Sequence, residues 1–377
     1  MSCSTIDFTI VLSLKQCQRP FIIVFMMYTL GIDIGTTNIE YALADDLAKV
    51  VYQTSRQNPL SSYGLDVMTR IFRACEGKLD VMSRTLKDAL SQDIDIIISE
   101  SDITIADVKS INIAANTTMV HILMDYDCEN LGRYPFSPVH TEAKQIDSSL
   151  IGLTEEISIA VNITQGFSAF VGGDIYSGLK TLPSCDDYLF IDMGTNAETV
   201  LVTRNEIYIT SAAAGPAFET CAIGHASDAI DALADMLSLN VMDETGLLDD
   251  EYFNSGYYSR NIHFSQKKIR DFQMAKSAVR TGIDLLTAEI DNSFKQTLNI
   301  YIAGNFGYNL NISNCIRLGM FPEWFENNAI AVGNTSLKGT LLDSKDLEEF
   351  LSDKKIKEIY LANLPDFNEL YISNMNF

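Results

Sequence analysis

No Cys-x-x-Cys pair occurs anywhere in these 377 residues. The seven cysteines (Cys3, Cys17, Cys75, Cys128, Cys185, Cys221 and Cys315) are scattered, without the close cluster a plant-type iron–sulfur domain requires. Mostly buried thiols in a reducing cytoplasm are the expectation. Basic residues are scarce as well: 27 Lys and Arg stand against 50 Asp and Glu, a net charge of −23. Such a chain has no basic face with which to displace counterions, which excludes nucleic acid and disfavours an anionic membrane as partner. The acidity itself is read as serving solubility. A long apolar run is missing too. The stretch from Pro20 to Leu30 is too short to span a bilayer, and Asp33 closes it. It makes a poor signal peptide, because Asp7 and an apolar run precede Lys15 and Arg19 and no small-residue cleavage site follows. Residues 1–27 are therefore read as an N-terminal extension or start-site artefact, with Met26 or Met27 a natural start. No low-complexity segment or flexible linker appears, so a chain of this length should form two lobes in one compact unit.

What is present centres on Tyr28-Thr-Leu-Gly-Ile-Asp-Ile-Gly-Thr-Thr-Asn-Ile-Glu-Tyr-Ala-Leu43. An apolar strand pattern carries Asp33, a small hydroxyl-rich turn follows (Gly35, Thr36, Thr37, Asn38), and a strand pattern resumes. This reads as a β-hairpin whose turn offers backbone N–H groups and hydroxyls beside one carboxylate. Such a turn is an anion nest that a phosphate can approach closely at Gly35. Asp33 beside it is suited to hold Mg²⁺ through water. A second copy lies downstream in Tyr188-Leu-Phe-Ile-Asp-Met-Gly-Thr-Asn-Ala-Glu-Thr-Val-Leu-Val202. Here Asp192 precedes Gly194, Thr195 and Asn196. The two copies are too far apart for a solenoid unit. Two like lobes facing across a cleft fit better, each giving one phosphate-gripping hairpin.

Elsewhere, Leu65, Met68, Phe72 and Cys75 recur at helical spacing, with Cys75 taken as packing, and Leu79, Met82, Leu86 and Leu90 continue in a second helix. Residues 108–114 read as a strand leading into Asn116-Thr-Thr118, equally an N-cap or a substrate edge. His121 lies in an apolar helical run and reads as a satisfied core histidine. The helix of small residues after Phe170-Val-Gly-Gly-Asp174 suits a close crossing between lobes, with Asp174 taken as an N-terminal helix charge. Gly215 and Pro216 sit in a turn of little bulk, open to close approach by a ligand. Residues 226–237 read as a helix. Ile269, Phe272, Val279, Ile283, Leu286 and Ile290 form one face of a long helix. A buried strand at 298–303 ends in Gly304-Asn305-Phe306-Gly307, a close-approach loop suited to a base or ribose. Residues 346–358 read as a charged helix, and 367–377 as an apolar tail docked on a lobe.

Two Asp-x-Gly-Thr hairpins with a strand–Gly-x-x-Gly loop resemble the actin-like ATPase superfamily of sugar kinases, actin and the large heat-shock chaperones. More finely, the chain resembles the C-terminal ATPase domain of the reductive activators of corrinoid proteins. The segments that carry this are Gly31-Ile-Asp-Ile-Gly-Thr-Thr37, Ala115-Asn-Thr-Thr-Met119, Phe170-Val-Gly-Gly-Asp174 and Ile191-Asp-Met-Gly-Thr-Asn196, then Ala213-Ala-Gly-Pro-Ala-Phe-Glu219, Phe272-Gln-Met-Ala-Lys276, Tyr301-Ile-Ala-Gly-Asn-Phe-Gly307 and Leu364-Pro-Asp-Phe-Asn-Glu-Leu370. The resemblance implies an α/β fold of two ribonuclease-H-like lobes, residues 28–185 and 186–377, with ATP and Mg²⁺ in the cleft and often a dimer. Two departures stand out. Whole activators carry an N-terminal ferredoxin-type domain for which this chain has no residues, so no iron–sulfur cluster is expected. Members also have a longer segment after the Gly-Pro-Ala-Phe-Glu stretch, whereas here residues 220–228 run straight into a helix and shorten one wall of the pocket.

The leading expectation is an ATPase module that works with a separate iron–sulfur electron donor to reactivate a corrinoid methyl-transfer protein. Asp33 and Asp192 would position Mg²⁺ and the attacking water, while Thr36, Thr37, Asn38, Thr195 and Asn196 grip phosphates. Three alternatives stay open: a small-molecule kinase with Asp174 or Asp192 as base, an iron–sulfur activator using Cys185 and Cys221, and a nucleotide-sensing partner without turnover.

Overall fold

The computed structural model describes residues 26–153, 158–184, 187–215, 226–304 and 310–377. The sequence repeat becomes a repeat of topology. The first sheet contains β1 (Tyr28–Ile34), β2 (Asn38–Asp45), β3 (Val50–Gln57), β4 (Val108–Ala115), β5 (Lys144–Asp147) and β6 (Ala160–Ile163), in the order β3-β2-β1-β4-β6-β5. The second contains β7 (Tyr188–Met193), β8 (Ala197–Val202), β9 (Glu206–Ala212), β12 (Asn299–Ala303), β13 (Ala329–Gly333) and β14 (Lys355–Glu358), in the order β13-β12-β7-β8-β9-β14. A small separate hairpin pairs β10 (Tyr257–Ser259) with β11 (Ile262–Phe264). In both large sheets three antiparallel strands lead and two parallel strands follow, so β3-β2-β1-β4-β6 and β9-β8-β7-β12-β13 superpose in order and direction.

The helices are α1 (Val67–Arg73), α2 (Leu79–Glu100), α3 (Thr117–Leu123), α4 (Gly173–Leu179), α5 (Ala226–Ser238), α6 (Gln266–Leu286), α7 (Asn292–Lys295), α8 (Ile312–Arg317), α9 (Thr335–Thr340), α10 (Lys345–Ser352) and α11 (Phe367–Ser373). Strand alternation decides where they sit. Leu30, Ile32 and Ile34 point into a core with Met82, Leu86, Leu90, Ile94 and Ile97 of α2, and with α3. The residues between them, Gly31 and Asp33, face the other way, where α9 lies: Asn112 Nδ2 donates to Thr340 O at 2.7 Å, and a Cβ on Gly31 would meet Thr340 Oγ1 at 2.0 Å. In the second sheet Leu189, Ile191 and Met193 point into a core with α5 and α6. Tyr188 and Phe190 point to the opposite face and pack on Val171, Ile175, Tyr176 and Leu179 around α4. The molecule is thus a stack in which α4 and α9 form the middle layer between two sheets.

Those two helices touch backbone to backbone. A Cβ on Gly339 would lie 1.8 Å from Ser177 O, and one on Gly178 would lie 2.9 Å from Thr335 Oγ1. Ser177 Oγ donates to Ser336 O at 2.8 Å. The small-residue helix expected to cross closely between lobes does so. The tail also docks as expected: Gln273 Nε2 donates to Met375 O at 2.9 Å, and Lys276 Nζ sits 5.4 Å from the Phe377 ring centroid.

Several expectations are corrected. Of the apolar stripe at α1 only Met68 packs on the core: Phe72 is 58% exposed, Cys75 is exposed, and Leu65, also exposed, precedes the Asp66 N-cap. The buried side chains are Arg70, Ile71 and Ala74, because the Arg70 guanidinium is used internally. Ile290 lies beyond α6, which ends at Leu286. Residues 346–358 are not one helix: α10 stops at Ser352 and Lys355–Glu358 turns into an edge strand that pairs in parallel with β9. Such an alternating Lys-Ile-Lys-Glu strip suits a half-exposed strand. His121 is buried, yet only half satisfied: Nδ1 lies 2.9 Å from Asp127 O and Nε2 has no hydrogen-bond partner among the described residues.

Candidate functional site

The first turn is braced from behind. Asn58 Nδ2 donates to Gly35 O at 2.7 Å, Asn58 N to Thr37 O at 2.8 Å, and Arg70 Nη2 to Thr36 O at 2.7 Å. Arg70, fully buried, is anchored in turn through Nε to Gly64 O at 3.1 Å. With three successive carbonyls committed to these donors, the N–H groups of the same trans peptides turn away from the brace. That is the local geometry of an anion nest. In the second turn Gly194 N donates to Asn196 O at 2.9 Å. Gly304, with φ of 94°, packs against it so closely that a Cβ would lie 2.3 Å from Met193 O and 3.0 Å from Asp192 Oδ1.

The two hairpins open onto one cavity of about 350 Å³, within the range of small-molecule sites. Of the residues expected to bind or catalyse, it is lined by Asp33, Gly35, Thr36, Thr37, Asn38, Asp192, Gly194, Thr195, Asn196 and Gly304. Gly215, at φ of 74°, is not among its lining residues. Pro216, Asn305 and Gly307 lie outside the described residues, as do Cys185, Cys221 and the shortened segment after Glu219. The N-cap reading of Asn116 holds, and the residue also lies on the cavity wall. It caps α3 by accepting from Met119 N at 3.0 Å, and its Nδ2 reaches Thr36 Oγ1 at 3.3 Å on the cavity wall. Asp174 is in the first turn of α4 as expected, and it also lines the cavity.

Glu40, Glu198, Asn334 and Ser336 also line the wall and were not singled out from the sequence. The two glutamates had a signal. Each turn is followed by Asn-x-Glu, and the hairpin register sets Asp33 opposite Glu40 and Asp192 opposite Glu198. Residues directly opposed in a sheet share a face, so each hairpin presents a carboxylate pair. Asn334 and Ser336 come from the far end of the chain and carry no local pattern.

Crowded carboxylates hold protons. Burial raises Asp192 to about 8, helped by the charges of Asp174 and Asp33. Asp33 rises to about 7, again through burial, opposed by the Ser336 hydroxyl, then raised by Asp174, opposed by Asn334 and raised by Glu40. Burial takes Asp174 to about 6 against the pull of backbone N–H groups. Glu198 is pushed well above the usual carboxylate range by burial, then by Asp174 and Asp192. Among the described residues that line the cavity there is no Lys, Arg or His. A polyphosphate entering such a site gains from a cation that offsets the repulsion. The polar side chains of the wall offer carboxylate, hydroxyl and amide oxygens, the hard ligands that suit Mg²⁺. Among the described residues no three His, Cys, Asp or Glu side chains converge as direct metal ligands.

The family model described as the RACo middle region matches residues 28–182, and that described as the C-terminal domain of RACo, the ASKHA domain, matches residues 186–246 and 227–377. A curated relative, the corrinoid activation enzyme RamQ of Eubacterium limosum, is 26% identical over 423 residues, covering 93% of this chain and 70% of its own. A solved structure described as a reductive activator for corrinoid,iron-sulfur protein has a TM-score of 0.82 at 24% identity, covering 93% of this chain and 66% of that one. The chain thus spans about two thirds of the length of these relatives. The expected two-lobed actin-like arrangement is the fold they share. The chain belongs to the RACo family, of which it carries the middle region and the ASKHA domain.

Proposed function

We propose that the chain binds ATP with Mg²⁺ between its two hairpins and hydrolyses it, in support of the reductive reactivation of a corrinoid protein by a separate iron–sulfur electron donor. Residues 28–185 and 186–377 act as the two lobes, in the cytoplasm. One observation carries the reading: two copies of one Asp-x-Gly-Thr hairpin, on two sheets of like topology, line the same cavity. The corrinoid partner rests on the resemblance to RamQ and to the activator for a corrinoid,iron-sulfur protein.

The turn residues Gly35 to Asn38, with Thr195 and Asn196, bind phosphate oxygens through backbone N–H groups and hydroxyls, and Gly194 lets the phosphate come close. Asp33 and Asp192, with Glu40 and Glu198 beside them, hold the water shell of the ion. Mg²⁺, when bound, supplies the positive charge the cavity wall lacks. Asp192, with a proton affinity raised into the neutral range, orients the attacking water and is matched to take its proton. Phosphoryl transfer asks chiefly for such positioning and charge neutralisation. A second reading, nucleotide sensing without turnover, is favoured by the same raised value, since a protonated Asp192 orients water poorly.

The deciding experiment measures ATP affinity and phosphate release together, with and without a candidate corrinoid protein. Binding with turnover stimulated by the partner is expected. Binding without turnover under either condition selects the sensor, and absence of binding overturns both. A phosphorylated metabolite would select a kinase instead.

A further inference from the structure

The carboxylate at the centre of the first hairpin is held from the opposite end of the chain. β13 belongs to the second sheet and ends at Gly333, and the next residue, Asn334, caps α9, which lies on the first sheet. Asn334 Oδ1 accepts from Leu337 N at 2.8 Å. An amide whose oxygen is committed to the helix must present its NH₂ on the other side. That NH₂ donates to Asp33 Oδ2 at 3.2 Å and to Glu40 Oε2 at 2.9 Å. Ser336 Oγ donates to Asp33 Oδ1 at 2.8 Å. Both oxygens of Asp33 are therefore engaged by α9, and one amide bridges the opposed pair Asp33 and Glu40. Like charges facing each other across two strands repel, so the bridging donor sets their separation. The second hairpin is arranged otherwise: Glu198 accepts from Ser211 of its own sheet at 3.1 Å.

We propose that Asn334 and Ser336 are positioning residues of the nucleotide site, which aim the Asp33 and Glu40 carboxylates at the cation that accompanies ATP. The inference rests on the nucleotide reading above. It predicts an effect on the cation-dependent part of binding and not on the rest. Ser336→Ala removes one donor to Asp33. Asn334→Ser removes the bridging amide while keeping a good N-cap, and keeps the test open should the first variant not fold.

ATP affinity is to be measured by titration calorimetry in EDTA and in Mg²⁺, for the parent and both variants. In EDTA the variants are expected within about twofold of the parent. The gain in affinity on adding Mg²⁺ should fall about tenfold, the worth of one hydrogen bond to a charged group. Equal losses in EDTA and Mg²⁺ assign these residues a merely structural role and overturn the proposal, as does an undiminished Mg²⁺ gain. A parent that binds no ATP overturns the nucleotide reading and this inference with it, so the two failures are told apart by the parent alone.

Discussion

Replacing Gly339 by alanine tests the crossing of α4 and α9, on which the alignment of the two hairpins depends. The added Cβ would lie 1.8 Å from Ser177 O and 2.5 Å from Ser177 C. Both are backbone atoms, so no side chain can swing aside. Restoring ordinary contact requires the helices to part by roughly 1.5 Å, given the usual carbon–oxygen approach of about 3.4 Å. That movement strains the bond from Ser177 Oγ to Ser336 O and the contacts of Gly178 with Thr335 and Phe190. Overpacking of this kind costs about 1–3 kcal/mol, against a gain of up to about 1 kcal/mol for Ala over Gly within a helix. Taking the upper part of the first range gives a net loss of about 1–2 kcal/mol. Gly282→Ala in α6 is the control, since its Cβ would meet only side-chain carbons at 3.5 and 3.7 Å. It should gain about 0.5–1 kcal/mol. Urea unfolding followed by circular dichroism reads both. A Gly339→Ala midpoint at or above that of the parent would refute the account of the crossing.

Further outcomes follow from the site. Asp192→Asn should abolish phosphate release and reduce the gain in ATP affinity that Mg²⁺ brings, because it removes one carboxylate of the ion's shell; unchanged turnover would sink the role given to that carboxylate. Mg²⁺-dependent ATP affinity should rise with pH between about 6 and 8, because Asp33 and Asp192 lose protons near 7 and 8 when the cation arrives. Calorimetry in buffers of different ionisation enthalpy should register the protons released. The sign for folding is opposite. These acids bind protons more tightly folded than unfolded, so their contribution to the stability of the ligand-free chain should fall as pH rises from about 4, where the unfolded acids ionise, to about 7 and 8, where the folded ones do; a flat profile of thermal midpoint against pH contradicts this. Arg70→Ala should cost about 2–4 kcal/mol by leaving the carbonyls of Thr36 and Gly64 without their buried donor. Arg70→Lys should not restore ATP affinity, since an ammonium cannot span both acceptors.

Much of the site was legible because its chemistry is local. A hairpin turn is a property of a few consecutive residues, and both copies carry Asp, Gly and Thr in one order. Glu40 and Glu198 were within reach of the same reasoning, had the strand period been carried two residues past each turn. Asn334 and Ser336 were not, since their meaning arises only when α9 folds back onto a strand some three hundred residues earlier. The misread face of α1 has a related cause. Apolar spacing placed Phe72 inward, but the buried position belongs to Arg70, whose charge is drawn in by carbonyls of the turn it braces. The strand β14 was hidden in a charged stretch because an edge strand held by backbone pairing needs little apolar content, and Ile356 between two lysines is itself exposed.

The exchange of helices across the middle layer bears on how the protein can be divided. A piece ending ahead of β7 would carry α4 without Tyr188 and Phe190, the aromatic side chains it covers, and would bare the strip of Gly31 and Asn112 on which α9 rests. The remaining piece would hold α9 with nothing beneath it and a second sheet open on one face. Each half is thus the other's missing cover. Coexpressed fragments should be recovered as one complementing pair, and neither should persist alone, however alike their sheets.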